Sequence, residues 1–224
     1  MSLSITLLGG FEVRHNGVTV IGGAWRPAKA AAIVKILALQ PGHALHRDQL
    51  IDRLWPEADA EAGESSFYKN VHHLRTAMRK AGAPDILALN RGMVVLQADG
   101  GIDADAFREQ ARHALEARET SMLEQALAAC GGDLLPGDLY EPWASAPRDE
   151  LARLRQRVRL ALGDRHLQRG RTDDAIRHFG DVLAADPLSE EAHRGLMRAY
   201  GASGERELAL QQYERCRAAL AGEI

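Results

Sequence analysis

Residues 65–80 read SSFYKNVHHLRTAMRK, and the fold of the first half of the chain turns on how this stretch is read. Phe67, Val71, Leu74 and Met78 recur at the three-to-four-residue interval that places them on one helical stripe, so that stripe packs inward. Lys69, His72, His73, Thr76 and Lys80 then face outward. The stretch contains no carboxylate. A helix bearing long donors and only positive formal charge suits a polyanion, and it fits the major groove of duplex DNA among phosphates and acceptor-rich base edges. The competing reading is a plain solvated basic face, the usual fate of a charge run taken alone. The surrounding sequence decides between them.

The 224 residues, 46% hydrophobic and 26% charged, suffice for two ordinary globular domains, which we place at 1–99 and 100–224. A net charge of −3 looks wrong for a partner of nucleic acid until the chain is divided near Gly100. Residues 1–100 carry 11 basic against 9 acidic side chains and the remainder 17 against 22, so an acidic second half masks a mildly basic first half. Cys130 and Cys216 each stand alone among helix-forming residues, which argues against a disulfide framework and for a reducing compartment. No stretch approaches the roughly twenty apolar residues of a membrane span, and no basic segment followed by an apolar run opens the chain. The expectation is a cytoplasmic protein with no membrane partner.

In chain order, Asn16-Gly17 sits between FEVRH and VTVI and supplies the positive φ angles of a tight primed turn, so Phe11–Val13 and Val18–Ile21 are expected to pair antiparallel. Pro27 stands where a first helical turn tolerates a missing donor and opens PAKAAAIVKILALQ, which Pro41-Gly42 closes. A short helix over Arg47–Leu54 is stopped at Trp55-Pro56. The acidic link PEADAEAGE follows, with Ser65 or Ser66 as the expected N-cap of the basic helix. ILALN and MVVLQ then read as two short strands about Asn90-Arg91-Gly92, a turn that presents Arg91 at its tip for phosphate or minor-groove contact. Strands, three helices and a hairpin in that order form a winged helix.

The segments LLGGFEVRHNG, HRDQLIDRLWP, NVHHLRTAMRKAG and ALNRGMVVLQ resemble, in order and spacing, the winged-helix activators of the Streptomyces antibiotic regulatory type, whose DNA-binding half is like that of OmpR-type response regulators. The family's recognition helix ends in an Arg-Leu-Arg-like segment, occupied here by His73-Leu74-Arg75. The resemblance implies a reading face of Lys69, Asn70, His72, His73 and Thr76, with Arg75 and Arg79 on phosphates. Two positions depart from the family pattern: His46 replaces the usual Ser/Thr cap, and MVVL replaces an aromatic Gly-Tyr wing. GGDLLPGDLYEPWASAPRDELARLRQRVRLAL resembles the family's bacterial transcriptional activation domain, with Trp143 opening a long helix. Binding to repeated promoter sites, dimerisation on DNA and contact with RNA polymerase are what this resemblance implies about partners.

The second half reads as helix throughout. Arg148, Arg153, Arg155, Arg157 and Arg159 lie among acids and are read as solvated helix positions rather than a second nucleic-acid site. Laid over itself at an offset of thirty-four residues, the tail aligns Leu162 with Leu196, Gly170 with Gly204, Ala175 with Ala209 and Phe179 with Tyr213, roughly the tetratricopeptide period. Gly163 and Pro187 fill further positions of that motif. Such helix pairs cannot bury their own apolar faces and must stack, leaving a groove for a peptide or subunit. The fold expected is therefore α+β, an N-terminal winged helix-turn-helix followed by an all-α tetratricopeptide-like domain.

Chemistry finds little support. His43 and His46 have no third ligand in recognisable spacing, and adjacent His72 and His73 project about a hundred degrees apart on a helix, so no metal is expected. No phosphate-binding glycine loop, dinucleotide fingerprint or nucleophile elbow occurs, so neither a cofactor nor catalysis is expected. A protein-interaction scaffold, in which the helical half binds a partner and the winged helix merely docks, is the alternative to a DNA-binding regulator.

Overall fold

The computed structural model describes residues 2–23, 25, 26 and 28–221, which form two compact units. The first takes in the chain up to residue 106 together with residues 131–151; the second comprises 107–130 and 152 onward. The units are thus interleaved in sequence rather than divided once.

The first unit opens with an antiparallel sheet of β1 (Leu3–Thr6), β2 (Glu12–His15) and β3 (Val18–Ile21), in that order. Asn16 (φ 49°) and Gly17 (φ 81°) make the β2–β3 turn, both with the positive φ that lets a two-residue loop follow strand twist. The second strand runs to His15 rather than ending at Val13, with a register shift between Val13 and Arg14. Helix α1 (Ala28–Ala38) is almost wholly buried, Ile33, Val34 and Leu37 being fully enclosed. Pro27, expected at its entry, lies outside the described residues.

Residues Ala44–His46 form β4, a strand not expected from the sequence, and lead directly into α2 (Arg47–Leu54). The long helix α3 covers Ala60–Lys80, and β5 (Leu87–Asn90) with β6 (Met93–Leu96) forms the terminal hairpin. β6 is the centre of a second sheet, ordered β4-β6-β5. Helices α1, α2 and α3 pack on one another, and α1 also packs on β6. This is a winged helix-turn-helix.

Helix α3 begins five residues before Ser65. Its N-cap is Asp59, whose carboxylate accepts the Ala62 amide at 2.8 Å, so the second half of the acidic stretch read as a link, residues 60–64, is the start of the helix. Glu61 there complements the exposed amides and positive end of the helix dipole. Gly63 allows the close approach: a Cβ there would lie 2.6 Å from the Ile51 side chain.

Residues 131–151 return to the first unit. Leu8 bridges Leu134, the Leu135 amide donates to Leu7 O at 2.9 Å, and Leu134 and Leu135 are buried. The Lys35 ammonium on α1 donates to both carboxylate oxygens of Asp138 at 2.9 and 2.7 Å, with side-chain exposures of 12% and 19%. Arg148 donates to the carbonyls of Leu134, Asp138 and Leu139, so it is a structural tie rather than a solvated position. Asp103 opens α4 (Asp103–Ala117) and accepts the Leu7 and Leu8 amides; burial raises its carboxyl pKa, against the pull of those amides.

The second unit is all-helical. The greater part of α4, α5 (Thr120–Ala129), the greater part of α6 (Pro142–Gln168), α7 (Thr172–Ala185), α8 (Glu190–Ser203) and α9 (Arg206–Ala221) build it, with α7 on α8 and α8 on α9. Phe179 is buried in one cluster of its core with Ala175, Leu196 and Ala199. The repeat is legible in the packing: Gly163 and Gly195 flank the Phe179 ring, and a Cβ on either would lie 2.6 or 2.5 Å from it. Tyr213, one repeat on, is 51% exposed because no further helix covers α9 among the described residues. Cys130 and Cys216 are half-buried and form no disulfide. No helix among the described residues is long and apolar enough to cross a membrane.

Candidate nucleic-acid interface

Helix α3 buries Phe67, Val71, Leu74 and Met78 to 2% exposure or less, which anchors its opposite face outward. Tyr68, Lys69, His72, Arg75, Arg79 and Lys80 are exposed on that face, while His73 and Thr76 are half-buried at its margin. Asn70 is buried, and its side-chain amide donates to Ser66 O at 2.8 Å. The reading face expected from the sequence therefore loses Asn70. Three residues after Phe67, it belongs to the inward stripe, and its donor is satisfied by its own helix.

Arg75 and Arg47, on and beside this face, are already engaged. Arg75 Nε donates to Asp85 Oδ2 at 2.7 Å, and Asp85 Oδ1 accepts the Leu87 amide at the start of β5. Arg75 therefore ties α3 to the hairpin as well as presenting charge. Arg47 donates to Glu64 at 2.6 Å and to the Tyr68 hydroxyl at 3.2 Å, and its guanidinium lies 6.0 Å from the Tyr68 ring centroid. His72 and Thr76, one turn apart, are 3.5 Å apart at Nε2 and Oγ1, a contact within the exposed face that orients both.

The hairpin turn is fixed against α2. Arg91 (φ 49°) and Gly92 (φ 82°) occupy the two turn positions, leaving the Arg91 side chain exposed at the tip. The Arg47 amide donates to Gly92 O at 2.7 Å, and His46 pairs with Met93 across β4 and β6. The His46 imidazole accepts an amide of the first turn of α2 while Gln49 reaches back to the His46 amide, a complete capping box. Histidine thus fills the place of the Ser/Thr cap. The His46 ring also stands where a side chain on residue 92 would project, so glycine is required there for space as well as for φ.

Tyr68 and Arg47 are absent from the residues expected at the interface. Tyr68 precedes His72 by four residues and so lies on the outward stripe, a signal present in the sequence. Arg47 carries no such signal, since only the packing of α2 on α3 brings it to Tyr68. His43 pairs with Asp105 at 3.2 Å, and among the described residues no group of three or more His, Cys, Asp or Glu side chains could hold a metal ion.

A winged helix-turn-helix with an exposed cationic third helix, joined in one chain to an all-helical repeat domain, defines a class of transcriptional regulators. The family described as bacterial transcriptional activator domain matches residues 102–224, and that described as transcriptional regulatory protein, C terminal, matches residues 25–93. The chain belongs to the bacterial transcriptional activator domain family, in the Streptomyces antibiotic regulatory arrangement with an OmpR-type winged helix. These are families of regulators, not of enzymes.

Among solved structures, Mycobacterium tuberculosis EmbR in complex with a low affinity phosphopeptide matches with a TM-score of 0.84 at 23% identity, over 100% of this chain and 61% of that one. The chain thus spans about three-fifths of that relative, and the likeness is one of fold. Two forms of a MamA mutant match at 16% identity, over 85% and 87% of this chain and 96% and 93% of theirs, with TM-scores of 0.36 and 0.37, too low to carry an argument. Among curated proteins none matches the sequence.

Proposed function

We propose that the chain is a sequence-specific DNA-binding transcriptional activator that lays the exposed face of α3 into the major groove, with Arg91 on the backbone or in the minor groove. The observation that carries this reading is the outward row of Lys69, His72, Arg75, Arg79 and Lys80 over a fully buried apolar stripe. Lys69, Arg79, Lys80 and Arg91 grip phosphates, His72, His73 and Thr76 face base edges, and Tyr68 joins them from the same row. Arg75 divides its charge between Asp85 and the duplex. Residues 1–99 carry DNA binding and 100–224 activation, with dimerisation on repeated sites and contact with RNA polymerase as the partnerships the family suggests.

Fluorescence anisotropy against the organism's own upstream duplexes and a random duplex, over a range of salt, tests it. Neutralising phosphates makes log K fall with log salt by about 0.9 per contact, so Lys69→Ala weakens all duplexes alike and flattens the slope by about 1. His72→Ala or Thr76→Ala instead changes preference among sites. A salt-independent response, or no binding to random duplex at low salt, sinks the reading and leaves the scaffold alternative. The exposed Leu210 and Tyr213 of α9, at 68% and 51%, favour that alternative, since they offer a partner apolar surface.

A further inference from the structure

The helical unit holds a concavity of about 390 Å³ that the DNA-binding reading does not use. It is lined by the apolar Leu115, Leu123 and Leu160 and by three arginines, Arg118, Arg157 and Arg165. Arg157 and Arg165 stand eight residues apart on α6, about 80° apart around its axis, while Arg118 follows the end of α4. The acids of the lining do not balance them. Asp164 is paired with Arg198, which leaves Glu191 alone against three cations. Arg165 donates to the neutral Gln168 at 2.9 Å, and the Arg118 and Arg157 side chains have no ion-pair partner among the described residues.

Arg118 also has φ +54°, in the left-handed region that favours glycine, and its amide closes the helix on Ala114 O at 2.9 Å. Glycine would hold that turn with less strain, and turns of this kind ordinarily have it. This turn sets the Arg118 side chain beside Arg157 and Arg165 in one small concavity. Clustered guanidinium forks match compact oxyanions in two-pronged geometry, and a concave low-dielectric wall concentrates their field. The volume lies at the small end of metabolite sites, with apolar lining for a carbon body and arginines for its charge.

We propose that this concavity is an effector site for a small metabolite bearing a compact multivalent oxyanion, a phosphate ester or a polycarboxylate. The site stands on residues that take no part in the α3 surface, so its failure and that of the DNA reading are separable. Calorimetric titration and thermal melts of the whole chain with pyrophosphate and with citrate, against sulfate at matched ionic strength, test it. The expected result is saturable one-to-one binding of at least one probe, with Arg157→Gln and Arg165→Gln each weakening it about tenfold or more. Pyrophosphate alone marks a phosphate ester, citrate alone a polycarboxylate, and both a site reading charge.

Arg118→Gly separates ligand binding from a structural role: it removes binding while the unliganded protein melts higher, because strain is relieved. A structural arginine would do the reverse. Three results overturn the proposal: neither probe saturating, sulfate matching them, or the arginine variants losing DNA affinity and salt slope without any change in anion binding. The last would assign these side chains to DNA phosphates.

Discussion

Replacing Gly195 by alanine inverts the usual sign of that substitution. In a helix interior Gly→Ala stabilises by about 1 kcal/mol, through propensity and the unfolded chain's entropy. At Gly195 the new Cβ would lie 2.5 Å from Phe179 Cε1 and 2.6 Å from Cδ1 and Cζ. Carbon atoms rest at roughly 3.5–4.0 Å, so the ring must move by about 1 Å. It has no room, because Gly163 closes on it from α6, where a Cβ would lie 2.6 Å away. Overpacking of this kind costs about 1–3 kcal/mol, which against that gain leaves a net loss of up to about 2 kcal/mol. For a unit of about a hundred residues that lowers Tm by up to roughly 15 °C. Gly201 in the same helix has nothing within 4 Å of its Cβ position and is the control: Gly201→Ala raises Tm. Circular dichroism melts of both variants decide. If Gly195→Ala melts at or above the parent, the two-glycine sandwich is not tight and the argument fails. The pair Gly195→Ala with Phe179→Leu tests the same contact, since it loses less stability than the two singles together.

Asp138→Ala leaves Lys35 in a nearly enclosed site with only the Phe11 ring, 4.8 Å from Nζ, for compensation, and destabilises the first unit by about 2–4 kcal/mol in urea unfolding. Lys35→Met with Asp138→Ala recovers most of that loss, whereas equal losses from single and double variants would show the pair carries nothing. Burial, then Arg177 and the His166 ring stacked 5.4 Å away, hold the His178 imidazole below its ordinary range. The unfolded chain therefore binds the extra proton more readily. Stability is full above the unfolded value of about 6.5 and falls as pH drops through the lower folded value. His178→Gln flattens that fall in urea midpoints measured between pH 8 and pH 5, and an unchanged profile would remove His178 from the account.

Features set by neighbours in sequence were legible in it. Asn16-Gly17 and Arg91-Gly92 lie where both turn residues take positive φ, and the inward stripe of α3 is buried as its spacing requires. The thirty-four-residue period aligns Phe179 with Tyr213 and gives Gly163 a motif position, while the packing of Gly163 on the Phe179 ring is the structure's addition. Asn70 was legible too, three residues past Phe67, but its polarity hid its register. What tertiary structure alone decided depends on partners distant in the chain. β4 is three residues with no pattern of its own and exists because β6 pairs with it. Asp59 rather than Ser65 starts α3, since Gly63 fits against Ile51 and continues the helix through an acidic stretch. Residues 131–151 join the first unit because Leu7, Gly9 and Lys35 offer Leu135, Asp133 and Asp138 hydrogen-bonding partners, which no periodicity in the segment encodes.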